Sequence, residues 1–290
     1  MSAFLTKLGL GSAQFGLDGG NPTRGRPVEQ EAREILTVAA RSGITWLDAT
    51  AATGHAEVVL GRVLPRPLPF RMTVKAVRAD KGVDLVEAEA RASLQRLGAP
   101  WCEAIVIQTP SDLFGPNGPA LWDCLRRLQA EGLFRQVGIS CYASDDPAGL
   151  AHRFKPDFIQ APASLLDQRL LADGTLNRIK SMGVGVHLRS IFLNGLLFLP
   201  PDRVPAQLKG ASGRLSRARR MIAEGRSDPL QAALGFALSR PEADVVLVGV
   251  TTAAELSAVV AAAAHPPPDL DWDEMAIDDP VLDHDRWAAA

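Results

Sequence analysis

Cysteine, tyrosine and an excess of charge of one sign are what this chain lacks. Three cysteines, Cys102, Cys124 and Cys141, occur in 290 residues. An odd number without a CxxC spacing excludes a disulfide framework and fits a reduced, cytoplasmic chain. Its 31 basic and 33 acidic residues leave a formal net charge of −2. No basic face is forced by that balance, so nucleic acid is not an expected partner. The charges are scattered, the pattern of a solvated surface. No apolar stretch reaches ~18 residues, so no membrane span is expected. The start MSAFLTKLGLGSAQFG has no long apolar region and no small-residue cleavage site, which argues against a signal peptide. No metal site is expected, and the only tyrosine is Tyr142.

What is there is alternation. Short apolar, β-branched runs recur at Lys7–Gly11, Thr45–Asp48, Arg71–Ala76, Cys102–Gln108, Arg135–Ser140, Asp157–Gln160, Gly185–Ser190 and Val245–Val248. Amphipathic stretches lie between them: Glu29–Ser42, Asp84–Leu97, Ala120–Glu131, Leu170–Met182, Asp228–Ser239 and Thr252–Ala263. In Asp84–Leu97, the expected inner face is Leu85, Ala88, Ala92 and Leu94. Gly98, Gly132 and Gly183 sit just past helices, where a left-handed C-cap favours glycine. Eight strands alternating with helices imply a parallel sheet. The length favours closure into a single (β/α)8 barrel, a TIM barrel, and no GxGxxG follows the first strand to mark a Rossmann half.

The chain reads as one barrel domain over residues 1–290. Asp18–Pro27 and Pro200–Arg226 interrupt the alternation after strands one and seven. The second is read as a loop over the mouth, where barrel active sites sit. The acidic, Pro-rich tail Pro266–Ala290 is read as an extended segment packed on the barrel surface.

Side chains at the C-terminal ends of barrel strands share one pocket. There the sequence puts Asp48, Lys75, Gln108, Ser140, Gln160, Arg189, Ser190 and Gly249. Asp48 and Lys75 lie on neighbouring strands, and either would be costly to bury alone, so they are expected to pair. Such a pair is either structural or a device for tuning a third group.

These segments also carry a resemblance. GITWLDATAATGHAEVVLG looks like the aldo-keto reductase segment G-I-x-x-x-D-T-A-x-x-Y-G-x-[SA]-E-x-x-[LI]-G. TVKA, SLQRLG, CEAIVIQ, EGLFRQVGIS, FIQAP, RSIFLNGLL and VVLVGVTTAAEL continue the match in order along almost the whole chain. The resemblance implies a barrel reductase in which a nicotinamide cofactor gives hydride and a tyrosine gives the proton. In that family a lysine, paired with an aspartate, lowers the tyrosine's pKa, and a histidine orients the carbonyl. By this resemblance Asp48 stands for the aspartate and Lys75 for the lysine, while Thr53 occupies the tyrosine's place and Gln108 the histidine's.

Those two departures bear on the chemistry. A phenol has a pKa of ~10, within reach of tuning by an ammonium, whereas an alkyl hydroxyl lies several units higher and is shorter. Losing a general acid typically costs ~10²–10⁴ in rate. Gln108 keeps an amide donor but cannot shuttle a proton. His55, two residues after Thr53, is a candidate acid with an ordinary pKa near ~6.5; a surface loop histidine is the bland alternative. Tyr142 and the potential nucleophile Cys141 are further candidates, against an ordinary mouth aromatic and a small filler.

The cofactor residues are better kept. By resemblance, Ser140 and Gln160 bind the nicotinamide carboxamide, and Ser190, Leu193, Asn194 and Gly195 match the pyrophosphate loop. Gly249, Thr251 and Thr252 open the last helix, whose amides suit phosphate; ordinary cap chemistry is the alternative. The stretch from Gly249 to Ala264 holds Glu255 and no Lys or Arg. That favours NAD over NADP, unless Arg214, Arg217, Arg219 and Arg220 fold over the adenosine end. The expected activity is an NAD(P)-dependent oxidoreductase acting on a carbonyl or sugar-like small molecule with an altered proton-donor set. The alternatives are a dinucleotide-binding pseudoenzyme and a non-redox lyase or isomerase using Asp48 and Lys75.

Overall fold

The computed structural model describes residues 5–16, 26–49, 55–199, 203–204, 206–279 and 282–283. Eight parallel strands pair in sequence order and close into a barrel: β1 (Leu8–Gly11), β2 (Trp46–Asp48), β3 (Arg71–Ala76), β4 (Cys102–Ile107), β5 (Phe134–Ser140), β6 (Phe158–Pro162), β7 (Gly185–Arg189) and β8 (Val245–Gly249). Every strand expected from the sequence is present, with ends moved by a residue or two. Gln108 lies just beyond β4 rather than within it.

Ten helices are present among the described residues: α1 (Glu29–Arg41), α2 (Ala56–Val63), α3 (Val83–Leu97), α4 (Gly118–Ala130), α5 (Pro147–Phe154), α6 (Arg169–Ala172), α7 (Thr175–Ser181), α8 (Ser212–Glu224), α9 (Pro229–Leu238) and α10 (Ala253–Ala264). None is long and apolar enough to cross a membrane. The segment expected as one helix over Leu170–Met182 is two, α6 and α7. Gly174 breaks it at φ 73, and the Asp173 carboxylate accepts from the Thr175 amide to restart it. On α3 the buried face is Val86, Ala90, Ser93, Leu94 and Leu97; of the expected face only Leu94 belongs to it, and Leu85 is exposed. The true stripe keeps four-residue spacing through a serine, which hydropathy alone discounts. The segment after β7 contains α8, which buries a stripe of Leu215, Ala218 and Ile222. Gly98, Gly132 and Gly183 do adopt left-handed backbone, at φ 60, 79 and 77.

Strand side chains alternate between the barrel interior and the helix layer. The lower interior is apolar, with Trp46, Ala104, Val106, Phe158, Val245 and Leu247 in one cluster. His187 stacks on Phe158 at 4.0 Å and meets the Trp46 ring edge-on. Two glycines admit this packing: a Cβ at Gly9 would meet Leu247 and Val245 within 3 Å, and one at Gly138 would lie 2.5 Å from Phe158. Two residues further along the strands, the same interior parity turns polar: Asp48, Lys75, Ser140, Gln160 and Arg189. The barrel therefore has a greasy floor and a charged mouth.

The tail's described residues lie against the barrel. Met275, Ile277 and Leu282 are buried, the Ile277 amide donates to Leu166 O, and the Gln168 amide to Trp272 O. Arg169 chelates Asp167 with two nitrogens and reaches Asp283 at 2.7 Å.

Candidate active site

Asp48 ends β2, and its carbonyl accepts from both the amide and the hydroxyl of Ser12, each at 3.0 Å. Its Oδ2 lies 3.2 Å from Lys75 Nζ, with side chains 8% and 10% exposed. Gln160 closes a triangle. Lys75 Nζ donates to Gln160 Oε1 at 2.9 Å, and Gln160 Nε2 donates to Asp48 Oδ2 at 3.3 Å. Asp48 Oδ1 is buried with no hydrogen-bond partner among the described residues. Each of two full charges is thus out of water, and the amide supplies the donor and acceptor they lack. Among the described residues Lys75 Nζ makes one hydrogen bond, to Gln160, and one ion pair, to Asp48.

Ser140 pairs with Gln160 in the β5–β6 register and is buried at the same end. Gln160 is itself wholly buried, and its amide is engaged by the ion pair rather than open. Gln108 is exposed on the rim. It lines a cavity of about 240 Å³ with Arg78, Thr109 and Asp112 above Ala76, Ile107 and Leu121. No hydrogen bond joins it to Lys75. Arg78 is tied to Asp112 at 3.1 Å. His55 is exposed as the residue preceding α2, and no hydrogen bond or ion pair joins it to Asp48, Lys75 or Gln160. Thr53 lies outside the described residues. So of the five residues the sequence nominates for chemistry, the structure joins Asp48 and Lys75 and leaves Gln108 and His55 apart from them.

Burial pushes the Cys141 thiol up to about 12, only partly countered by Arg189, which keeps it a protonated filler. The Tyr142 ring lies 4.4 Å from the Arg189 guanidinium. Arg189, which ends β7, also donates to Cys141 O at 2.8 Å and to Ser190 Oγ at 3.1 Å, bracing the exits of β5 and β7. Sequence reasoning placed Arg189 at the mouth without giving it a role.

After β7 the backbone is unusual. Ser190, Leu193 and Asn194 have φ of 60, 45 and 52, and Gly195 has 84. Left-handed non-glycine residues cost of order 1–3 kcal/mol each and persist where surroundings enforce them. One enforcer is Arg219 of α8, which donates to the carbonyls of Leu196, Leu197 and Leu199. Arg217 pairs with Glu274. Two of the four arginines that could fold over an adenosine are therefore occupied; Arg214 and Arg220 are exposed.

At α10, Thr252 caps the Glu255 amide at 3.0 Å. Glu255 turns back to accept from the Thr251 amide at 2.8 Å and its hydroxyl at 3.2 Å. Glu31 of α1 accepts from the Ala253 amide at 2.6 Å. Two carboxylates thus cover the amides of Thr251 and Ala253 at the start of α10, where phosphate was expected to bind. Glu31 was missed because only barrel closure brings the first helix beside the last.

Comparison with known proteins decides the family. The aldo/keto reductase family matches this sequence over residues 7–277. The chain belongs to the aldo/keto reductase family. It is 28% identical over 125 residues to an aldo-keto reductase of Mycolicibacterium smegmatis, covering 41% of this chain and 42% of that protein. It is 30% identical over 131 residues to one of Mycolicibacterium vanbaalenii, covering 42% and 46%. The matched part thus spans less than half the length of these relatives. Among solved structures, the holo form of a Bacillus halodurans aldo-keto reductase aligns at a TM-score of 0.71 with 22% identity, covering 90% of this chain and 87% of that one. An aldose reductase from Giardia lamblia aligns at 0.69 with 14% identity, covering 95% and 92%. At those identities the structural likeness establishes the aldo-keto reductase barrel and nothing finer.

Proposed function

We propose that this aldo-keto reductase is a nicotinamide-dependent oxidoreductase of small carbonyl or sugar-like compounds with an altered proton-donor set. The observation that carries the reading is the buried Asp48–Lys75–Gln160 triangle at the barrel mouth. Ser140 beside it and the strained segment Ser190–Gly195 support a dinucleotide, since successive amides of such turns make an anion cradle. A reduced nicotinamide bound there would supply hydride. Lys75 and the rim amide of Gln108 would orient the carbonyl, and Gln160 would hold Lys75 in place.

The adenosine end supports NAD over NADP. A 2′-phosphate carries close to two negative charges, and Glu31 and Glu255 line the α10 N-terminus with no cation in its sequence. A ribose hydroxyl donates to a carboxylate without repulsion. Calorimetric titration with NADH and NADPH, followed by turnover assays, tests the whole reading. NADH binding at least as tightly as NADPH, with slow oxidation by aldehydes, is the expected result. Absence of binding to either removes the reading.

The exposed Gln108, with Thr53 at the tyrosine's position in sequence, favours a second reading: a dinucleotide-binding protein without redox activity. Tight NADH binding with no oxidation across an aldehyde and aldose panel selects it. If the first reading holds and the rest of the site is intact, Thr53→Tyr with Gln108→His raises turnover.

A further inference from the structure

Beside the barrel mouth lies a second space that the proposed reduction does not use. The cavity of about 240 Å³ is walled by Ala76 and Ile107 at the ends of β3 and β4 and by Leu121 of α4. Ala76, Ile107 and Leu121 pack in the helix-side core, whereas Val106, next to Ile107, packs inside the barrel. The cavity therefore sits between the sheet and α4, outside the barrel. Asp48, Lys75, Ser140, Gln160 and Arg189 contribute nothing to its lining. Its floor is apolar, and one ion pair lies in its polar wall. Arg78 Nη2 donates to Asp112 Oδ1 at 3.1 Å, and the Ala79 amide donates to Asp112 Oδ2 at 3.0 Å. The Asp112 side chain is 9% exposed and that of Arg78 61%. A carboxylate oxygen that accepts one hydrogen bond has a lone pair for a second, and a guanidinium carries five N–H donors. A buried acceptor and an exposed donor thus line the same apolar space, and their charges cancel.

We propose that this cavity is a binding site for a small, neutral, hydroxyl-bearing ring compound, a monocyclic phenol or benzylic alcohol. Its size sets the ring. An apolar cavity of ~150 Å³ accepts benzene, so this one has room for a substituted ring. The ion pair sets the polar group. A hydroxyl donates to Asp112 and accepts from Arg78 at once, and it leaves the pair neutral. A carboxylate in the same place would gain Arg78 but meet the fixed charge of Asp112, and an ammonium would meet the reverse. A hydrocarbon would give neither group a partner. Asp112 and Arg78 thereby choose the ligand's polar group, and Ala76, Ile107 and Leu121 its width. A phenol is still protonated at pH 7, its ordinary pKa being ~10. Gln108, on the cavity rim, is the one residue this site shares with the proposed reduction. Binding here needs no dinucleotide, so the site stands or falls apart from the oxidoreductase reading.

Saturation-transfer NMR titration of the full chain with 4-methylphenol, without dinucleotide, tests the site. A dissociation constant of about 1 mM or tighter is expected, the range for a ligand of this few heavy atoms. Toluene, 4-methylbenzoate and 4-methylbenzylamine should each bind at least about tenfold more weakly. Asp112→Asn keeps the shape of the wall and an acceptor for the Ala79 amide. It should weaken 4-methylphenol about tenfold, since a charged acceptor becomes a neutral one. Leu121→Trp fills the cavity from the helix side and Ala76→Leu from the strand side. Whichever of the two folds, by circular dichroism, should lose 4-methylphenol binding. Unchanged binding in a folded filling variant puts the ligand elsewhere and overturns the proposal. Toluene or 4-methylbenzoate binding as tightly as the phenol overturns it too, because the pair then selects nothing. So does a wild-type chain that shows no saturation transfer at roughly ten times the expected dissociation constant. Titration with NADH is a separate measurement, and its failure removes the oxidoreductase reading while leaving this site in place.

Discussion

The ion pair at the mouth is a liability unless both partners are present. Asp48 and Lys75 are each about nine-tenths buried in their side chains. Lys75→Met should therefore destabilise by roughly 3–5 kcal/mol, the cost of leaving one buried charge unpaired. Adding Asp48→Asn should return most of that loss, since a neutral amide is cheaper to bury. Urea unfolding of the two variants checks the order; equal losses would mean that the pair is screened by water. A second residue effect lies on the barrel floor. Burial among Phe158 and Trp46 pushes His187 down to about 3, with Asp244 opposing. The unfolded chain takes up this proton near pH ~6.5 and the folded chain does not, so stability is full above that pH and is lost as pH falls toward 3. The slope should approach ~1.4 kcal/mol per pH unit from this group. His187→Phe should flatten it, as measured by denaturant midpoints at pH 7, 5 and 4.

At the scale of elements, the α10 N-terminus is where charge was legible and geometry was not. The sequence presented Glu255 as the lone charge on that helix, but Glu31 comes from α1, more than two hundred residues away. Together they complete the cap that Thr252 begins. Glu255→Arg with Glu31→Gln should shift preference toward NADPH by about tenfold or more, since one like-charge contact becomes a charge-assisted bond worth ~1.5–3 kcal/mol. It should also cost about 1 kcal/mol of stability through the lost cap. Paired titrations with the two dinucleotides read the first effect and thermal unfolding the second. An unchanged preference would put the adenosine elsewhere. In the same way α8 lay inside a stretch rich in Arg, Gly and Ala that was read as a loop over the mouth. Its role in bracing Leu193–Phe198 through Arg219 depends on carbonyls that no side-chain pattern announces.

For the whole molecule, closure and the tail go together. The described tail buries Met275, Ile277 and Leu282 and engages Arg169 through Asp283, so the β6–α6 turn is held from outside the barrel. Two carboxylates hold the Arg169 guanidinium above its ordinary range, the Asp167 hydrogen bond being the largest cause. Ending the chain after His265 should remove several kcal/mol, at ~1.5–3 kcal/mol per buried apolar side chain, and leave Asp167 and Arg169 open to water. Circular dichroism melts of the truncated and full chains measure this. A shift under about two degrees would show that the tail only lies on the surface.

The sequence by itself determined the barrel. Period-two apolar runs separated by helical periods admit few closed solutions at this length, and each strand was found to within two residues. It also determined which residue types stand at the strand ends, because alternation is a local property of the backbone. Only the tertiary structure decided what those residues do to one another. Gln160 pairs with Lys75 and Asp48 rather than standing open, and Gln108 turns to the rim. Glu31 meets α10, and α3 is rolled from its expected face. The physical reason is that a hydrogen bond or an ion pair is a relation between atoms a few ångströms apart, whereas strand and helix periods are relations between neighbours in the chain. The first exists only once the eight strands have closed.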